Sequence, residues 1–443
     1  MVQYLEAVFG SGTRGARRMH QLAKAVIIFD EIQSLPLRCV HMFCNSVNFL
    51  VNHCNSTVVL CTATQPLLGE VEKLKGALEL SSENEIIPDV QKLFEDLKRV
   101  EVLDSRKPSG WSDDEIADLA ILEMEKSSSC LVIVNMKRSA RAVFNAIAGK
   151  SDAECFHLST GMCPVHRKTI LKTIRECLAS GLPTICISTQ LIEAGVDVDF
   201  GSVIRFAAGL DSIAQAAGRC NRNGKRTVGR VHIINPAEEN IDCLKDIAVG
   251  KEKTERVLND FKDNPAKYHF DIIGPSALSW YYKNYFFERK KEMDYPISQK
   301  ESIRTDTLLN LLSTNTAAVA DYGRVKKENP AIFLRQAFMS AADLFRAIDA
   351  PTQGVIVQYG NEGENLVAQL ASAFDVEKQF ALLRRAQQYS VNLFPHEFKI
   401  LCEQGALLKV QENTDIFYLD KMFYSKKFGI SMEPVNMEEL RCV

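Results

Sequence analysis

The chain reads as an α/β protein built on mainly parallel sheet, and three observations carry that reading. Short apolar, β-branched runs alternate with helical stretches. Several runs are apolar without a break, as strands buried on both faces must be. Each of the first two runs ends directly in polar residues of a kind that does chemistry at strand ends.

The first block ends near residue 98 and contains Ala25-Val26-Ile27-Ile28-Phe29 and Thr57-Val58-Val59-Leu60-Cys61. The second, residues 99–237, opens with Arg99 to Leu103. Ser112-Asp113-Asp114-Glu115 then has capping-box spacing ahead of a helix running to about Glu125. Further strands are expected at Leu131 to Val134, Cys155 to Leu158, Thr184 to Ser188, Ser202 to Phe206 and Arg230 to Ile234. Helices belong around Ser139 to Ala148 and His166 to Ala179. From 238 to 329 the alternation gives way to charged, aromatic-rich helical sequence, including Trp280 to Lys290, expected as a helical linker. Residues 330–443 form a smaller mixed accessory unit with a strand at Gly354 to Gly360.

A length of 443 residues suits two to four domains, and 46% hydrophobic with 25% charged residues fits a globular chain. The net charge of −3 supplies no global basic field, so any nucleic-acid contact has to be a local groove. No apolar run reaches the length of a membrane span and the first residues lack a secretory pattern, so a cytoplasmic location is expected. The 13 cysteines include no C-x-x-C pair and read as reduced thiols.

Asp30-Glu31-Ile32-Gln33 follows the Ala25 to Phe29 strand. At the carboxyl end of a parallel strand, one carboxylate can hold the Mg²⁺ of a nucleoside triphosphate while the other polarises the attacking water. Asp30 takes the metal role and Glu31 the base role, although such a pair also suits a solvated helix start. Thr62-Ala63-Thr64-Gln65-Pro66 follows the next strand. Its hydroxyls can bond to the acidic pair and couple it to domain orientation, or one threonine can cap a helix beginning at Pro66.

Ser188-Thr189-Gln190-Leu191-Ile192-Glu193-Ala194-Gly195-Val196-Asp197 leaves a strand through hydroxyl and amide side chains suited to a phosphodiester backbone. It also places Gly195 and Asp197 where a loop can approach nucleotide. In Gln215-Ala216-Ala217-Gly218-Arg219-Cys220-Asn221-Arg222, the three polar side chains Gln215, Arg219 and Arg222 share one face if the helix continues. Two guanidiniums there invite a polyphosphate, with Arg219 and Arg222 as arginine fingers. The arginines alone equally fit a solvated basic helix end.

Taken together and in this order, the four constellations resemble motifs II, III, V and VI of superfamily 2 helicases. The narrower match is to the CRISPR-associated type I helicase-nucleases, carried by D-E-I-Q, T-A-T-Q-P, H-L-S-T-G-M-C-P-x-H-R, S-T-Q-L-I-E-A-G-V-D-V-D-F and L-D-S-I-A-Q-A-A-G-R-C-N-R-N-G. The resemblance runs on into G-V-I-V-Q-Y-G and R-R-A-Q-Q-Y-S-V-N-L-F near the carboxyl end. It implies part of a first RecA-like domain, a complete second one, a helical linker and an accessory domain. It also implies ATP and Mg²⁺ as cofactors and coupling of ATP hydrolysis to movement on single-stranded DNA.

By the same resemblance Asp30, Gly195, Asp197, Arg219 and Arg222 contact nucleotide or its metal, Asp30, Glu31, Gln215, Arg219 and Arg222 catalyse, and Thr62 and Thr64 couple. Ser188, Thr189 and Gln190 become strand contacts, Glu193 joins strand to nucleotide, and a Cascade-type CRISPR complex is the partner. The family's histidine-aspartate nuclease and G-x-x-x-x-G-K-[ST] loop have no counterpart here: Gly149-Lys150-Ser151 follows a helix, and Gly224-Lys225 lies out of register with Gly218. The expectation is therefore a motor segment that works with an amino-terminal helicase or nuclease segment, or a remnant that binds without hydrolysing.

Overall fold

In the computed structural model, all residues are described except 63, 65, 298–304, 333–334, 349–350, 374 and 436–443. The chain forms two compact units, Met1–Leu97 with Arg256–Asp349, and Lys98–Glu255 with Ala350–Val443. The division does not follow chain order. The segment read as a helical linker clusters largely with the first block, while the carboxy-terminal segment clusters with the second.

In the first unit, β1 (Val26–Phe29) and β2 (Thr57–Leu60) pair in parallel, joined by the crossover helix α3 (Val40–Cys54). Helices α1 (Val2–Phe9) and α2 (Thr13–Met19) precede them, and α4 (Val90–Asp96) closes the first segment. The core contains Leu5, Phe29, Ile32, Phe43 and Leu68, and reaches Met293, Tyr295 and Phe345 of the later segment. Tyr4, Phe29 and Phe43 meet edge to face at centroid distances of 4.9–6.0 Å. That geometry suits aromatic quadrupoles and stabilises beyond area burial. Alternate residues of β1 divide between faces as the strand period requires: Phe29 is buried while Val26 and Ile28 are 71% and 64% exposed. Helix α10 (Pro275–Arg289) and the short antiparallel pair β9 (Pro296–Ile297) and β10 (Asp306–Thr307) complete what concerns the site.

The second unit is organised by six parallel strands: β3 (Val100–Asp104), β4 (Ser129–Val134), β5 (Glu154–Leu158), β6 (Thr184–Thr189), β7 (Ser202–Phe206) and β8 (Gly229–Ile234). Their order is β3-β8-β7-β4-β6-β5, with β4 paired in register to both β6 and β7. Every residue of the central strands β4, β6 and β7 is buried, which explains their unbroken apolar character. Helix α5 (Asp113–Ser127) opens with the expected box, Ser112 Oγ accepting from Glu115 N–H and the Glu115 carboxylate accepting from Ser112 N–H. The helices α6 (Lys137–Ala148), α7 (Pro164–Ser180) and α8 (Leu210–Ala217) follow, and α9 (Lys245–Asp263) contains the point, between residues 255 and 256, at which the division falls.

A four-stranded mixed sheet lies in the carboxy-terminal segment, with β11 (Gln353–Val357) between β12 (Ser390–Leu393) and β14 (Phe417–Leu419), and β13 (Leu407–Lys409) beyond β14. A hairpin of β15 (Tyr424–Ser425) and β16 (Gly429–Ile430) ends it. Among the described residues, no helix is long and apolar enough to cross a membrane.

Candidate functional site

Strand β1 delivers Asp30 and Glu31 to solvent at its carboxyl end. Glu31 sits in the left-handed region (φ 53°), where its N–H bonds Asp30 Oδ1 at 3.0 Å. Ile32 N–H bonds the Cys61 carbonyl at 3.2 Å, so the loop after β1 is anchored to the end of β2. The side chains then form a chain. Gln33 Nε2 donates to Glu31 Oε2, the Thr62 hydroxyl donates to Gln33 Oε1, and Thr62 Oγ1 accepts from Thr64 N–H at 3.0 Å. Thr64 is buried, its hydroxyl 3.3 Å from that of Tyr282 on α10. The acidic pair and the threonines are thus brought together, through a glutamine that the sequence reading left without a role. No helix begins at Pro66, where the chain turns instead, so Thr62 closes a local loop and caps no helix.

In the second unit, strand β6 ends in Ser188 and Thr189 and runs into a single 3₁₀ turn, Gln190–Ile192. Ser188 is wholly buried and its hydroxyl donates to the Thr189 carbonyl at 2.8 Å, while Gln190 is partly exposed. Glu193 turns inward. One of its oxygens meets Arg205 Nε at 2.8 Å and the other accepts from the Ser212 hydroxyl at 2.8 Å. Arg205, the penultimate residue of β7, has no exposed surface; its Nη1 also donates to Asn135 Oδ1 at 2.7 Å and its Nη2 to Ser212 Oγ at 2.8 Å. Burial pushes the Glu193 carboxyl up from its ordinary range, against which the Arg205 charge pulls it down.

The loop beyond Glu193 depends on Gly195, which is exposed, has φ +69° and would meet nothing with an added Cβ. The glycine therefore serves backbone conformation. Asp197 is exposed, its backbone carbonyl accepting from Arg175 Nε at 3.0 Å and its carboxylate 3.1 Å from Arg222 Nε.

The shared face of Gln215, Arg219 and Arg222 is not formed. Helix α8 stops at Ala217, Gly218 follows as its cap, and Asn221 has φ 46°, so the chain turns before Arg222 is reached. Arg219 is buried, with Nε donating to the Ile192 carbonyl at 3.1 Å and Nη2 to that of Glu193. Its guanidinium clamps the preceding motif's loop. Arg222 differs: its side chain is 45% exposed and its N–H is held by Asp199 Oδ1 at 2.7 Å. Gln215 lies partly exposed on α8.

The loop at 157–167 acquires a structural role. His166 Nδ1 lies 2.9 Å from Tyr424 Oη and its Nε2 3.0 Å from the Lys426 carbonyl, and its ring stacks on Tyr359 at 4.3 Å. Tyr424 Oη accepts from Cys163 N–H at 3.1 Å and Ile430 N–H donates to the Gly161 carbonyl at 2.8 Å. The loop is the seat of the terminal hairpin. Burial holds His157 down to about 3 and His166 to about 4.

Comparison with known proteins agrees with this architecture. Residues 126–225 match the family model described as "CRISPR-associated nuclease/helicase Cas3, C-terminal". A CRISPR-associated nuclease/helicase Cas3 of Haloferax volcanii is 24% identical, over 54% of this chain and 35% of its own length. The T. fusca Cas3-ADP structure superposes with a TM-score of 0.61 at 14% identity, covering 95% of this chain and 53% of that one. A CRISPR RNA-guided surveillance complex before nicking gives 0.52 at 14% identity, covering 89% of this chain and 53% of that one. The chain thus spans about a third of the curated relative and about half of the solved ones. Residues 126–225 thus match the Cas3 carboxy-terminal family model, and the chain is similar in fold to solved Cas3 structures.

Proposed function

We propose that the chain is the motor segment of a CRISPR interference effector, coupling ATP hydrolysis to movement along single-stranded DNA. The observation that carries this is the hydrogen-bonded series from Glu31 through Gln33 and Thr62 to Thr64, which joins the acidic pair to the following motif within one unit. The relatives in hand include the ADP, AMPPNP and ATP forms of T. fusca Cas3, which supports a nucleotide as cofactor.

Asp30 and Glu31 form a hard, solvent-facing oxygen set suited to Mg²⁺, with Asp30 the ligand. When bound, Mg²⁺ neutralises charge on the triphosphate. Glu31, its carboxylate oriented by Gln33, is the group that takes a proton from the attacking water. Arg222 is the motif VI arginine available to a γ-phosphate. Arg219 and Glu193 act by holding the Gln190 to Asp197 loop in shape, with Gly195 and Asp197 on its nucleotide side. Thr189 and Gln190 are the candidate backbone contacts, and Ser188 supports them from beneath. Gln215 is the remaining polar group of its motif.

The partners follow from the same reading: single-stranded DNA, a Cascade-type surveillance complex and an amino-terminal helicase or nuclease segment carrying the phosphate-binding loop. The test is ATP hydrolysis by the purified chain with and without oligothymidylate, alone and mixed with a helicase segment that carries a phosphate-binding loop. Strand-stimulated hydrolysis lost in Glu31→Gln supports the motor reading. Binding without hydrolysis in both mixtures supports a remnant that serves as a binding module.

A further inference from the structure

Helix α10 carries aromatic rings on both of its faces. Its inner face buries Tyr281 and Tyr282. At 100° per residue, Trp280, Lys283 and Phe287 fall together on the opposite side, and Lys290 and Lys291 follow directly after the helix end. Phe287 is 73% exposed, and Lys290 Nζ lies 5.1 Å from its ring centroid. Lys267 Nζ lies 6.0 Å from the Trp280 ring, and Lys283 pairs with Glu70 at 3.1 Å in an arrangement exposed at both ends. Trp280 and Phe287 are two turns apart, about 10.5 Å along the axis.

We propose that this outer face of α10 is a binding site for single-stranded nucleic acid, with Phe287 and Trp280 stacking on bases and the lysines lying along the phosphates. The chemistry selects the occupant. Phe287 is exposed and Trp280 partly exposed; aromatic rings interleaved with cations are the composition of sequence-tolerant strand-binding surfaces, whereas lysine is depleted where proteins bury against each other. The face is also connected to the acidic pair. Tyr282 on the inner side of the same helix lies within hydrogen-bond reach of Thr64, whose N–H is held by Thr62. A strand gripped on the outer face is therefore one helix thickness from the motif that contacts Glu31 through Gln33. The inference deepens the motor reading and rests on its assignment of single-stranded DNA as substrate.

The experiment uses the whole chain and a 20-nucleotide oligothymidylate. Trp111→Phe leaves Trp280 as the only tryptophan, so its fluorescence reports on this face. Oligothymidylate is expected to quench it. Phe287→Ala weakens binding about fivefold or more, and Phe287→Trp restores it. Replacing Lys290 and Lys291 together with glutamine lowers the slope of log affinity against log salt by roughly 1.4. Full-strength binding in Phe287→Ala with unquenched Trp280 overturns the site and leaves the motor reading standing, because the strand is then held elsewhere. No binding by the unsubstituted chain overturns both. Phe287 is exposed, so its replacements test contact and not folding.

Discussion

Arg205 and Glu193 meet at 2.8 Å inside the second unit, between the carboxyl end of β7 and the loop after β6. A charged pair so thoroughly buried is stabilising only while both members and their hydrogen bonds are present. Asn135 and Ser212 supply those bonds. The pair ties the Glu193 loop to the start of α8, as Arg219 ties the same loop to the end of it.

Removing one partner leaves a charge buried without compensation. Arg205→Met is expected to lose about 3–5 kcal/mol of unfolding free energy. Arg205→Met combined with Glu193→Leu is expected to recover much of that loss. Denaturant unfolding of the singles and the double decides the matter: losses that simply add mean that the ion pair contributes nothing specific.

Acid should loosen the seat of the terminal hairpin. His166 is neutral in the fold, Tyr424 O–H donating to Nδ1 and Nε2–H donating to the Lys426 carbonyl. Its pKa is held near 4 and that of His157 near 3, against the ordinary 6.5 of an unfolded chain. Between these values the unfolded state binds protons that the folded state does not. Stability is therefore complete above pH 6.5 and falls on acidification toward pH 4, by roughly 1.4 kcal/mol per pH unit for each histidine. Unfolding free energies at pH 7 and pH 5 measure the slope, and His166→Gln should reduce it by one proton.

Gly429 presses on the same seat. Its φ is +77° and an added Cβ would stand 2.2 Å from the Gly161 carbonyl oxygen. Gly429→Ala should cost at least about 1–2 kcal/mol from the left-handed backbone alone. The clash adds to this by lifting the hairpin, so faster proteolysis beyond residue 420 at unchanged far-ultraviolet dichroism is the expected result.

Thr62→Val removes the hydroxyl that joins Gln33 to the Thr64 loop. About 1 kcal/mol of stability should be lost with that bond. If the series transmits strand binding to the acidic pair, strand-stimulated hydrolysis falls further than basal hydrolysis. Equal reductions in both would make Thr62 merely structural.

The strands and their buried character were legible because a run apolar on both faces has few other uses, and all six of the second unit lie where the sequence places them. Asp30 and Thr62 were legible through their position just after such runs. Arg205 was not, since a charge inside a strand declares itself only when Glu193, twelve residues earlier and on another loop, comes to meet it. The docking of Tyr424 on His166 and the clustering of residues after 256 with the first block rest on partners hundreds of residues away. Arg219 and Arg222 looked equivalent because both fit one helical period. The helix ends at Ala217, and that local stop gives them different tasks: one arginine binds carbonyls inside and the other faces solvent.

Those two arginines give the most direct test of the motor reading: phosphate release from ATP stimulated by oligothymidylate, with the chain mixed with a helicase segment that carries a phosphate-binding loop. Arg222→Ala is expected to abolish stimulation at unchanged unfolding free energy, whereas Arg219→Ala lowers stability along with activity. Undiminished stimulated release in Arg222→Ala would contradict the account.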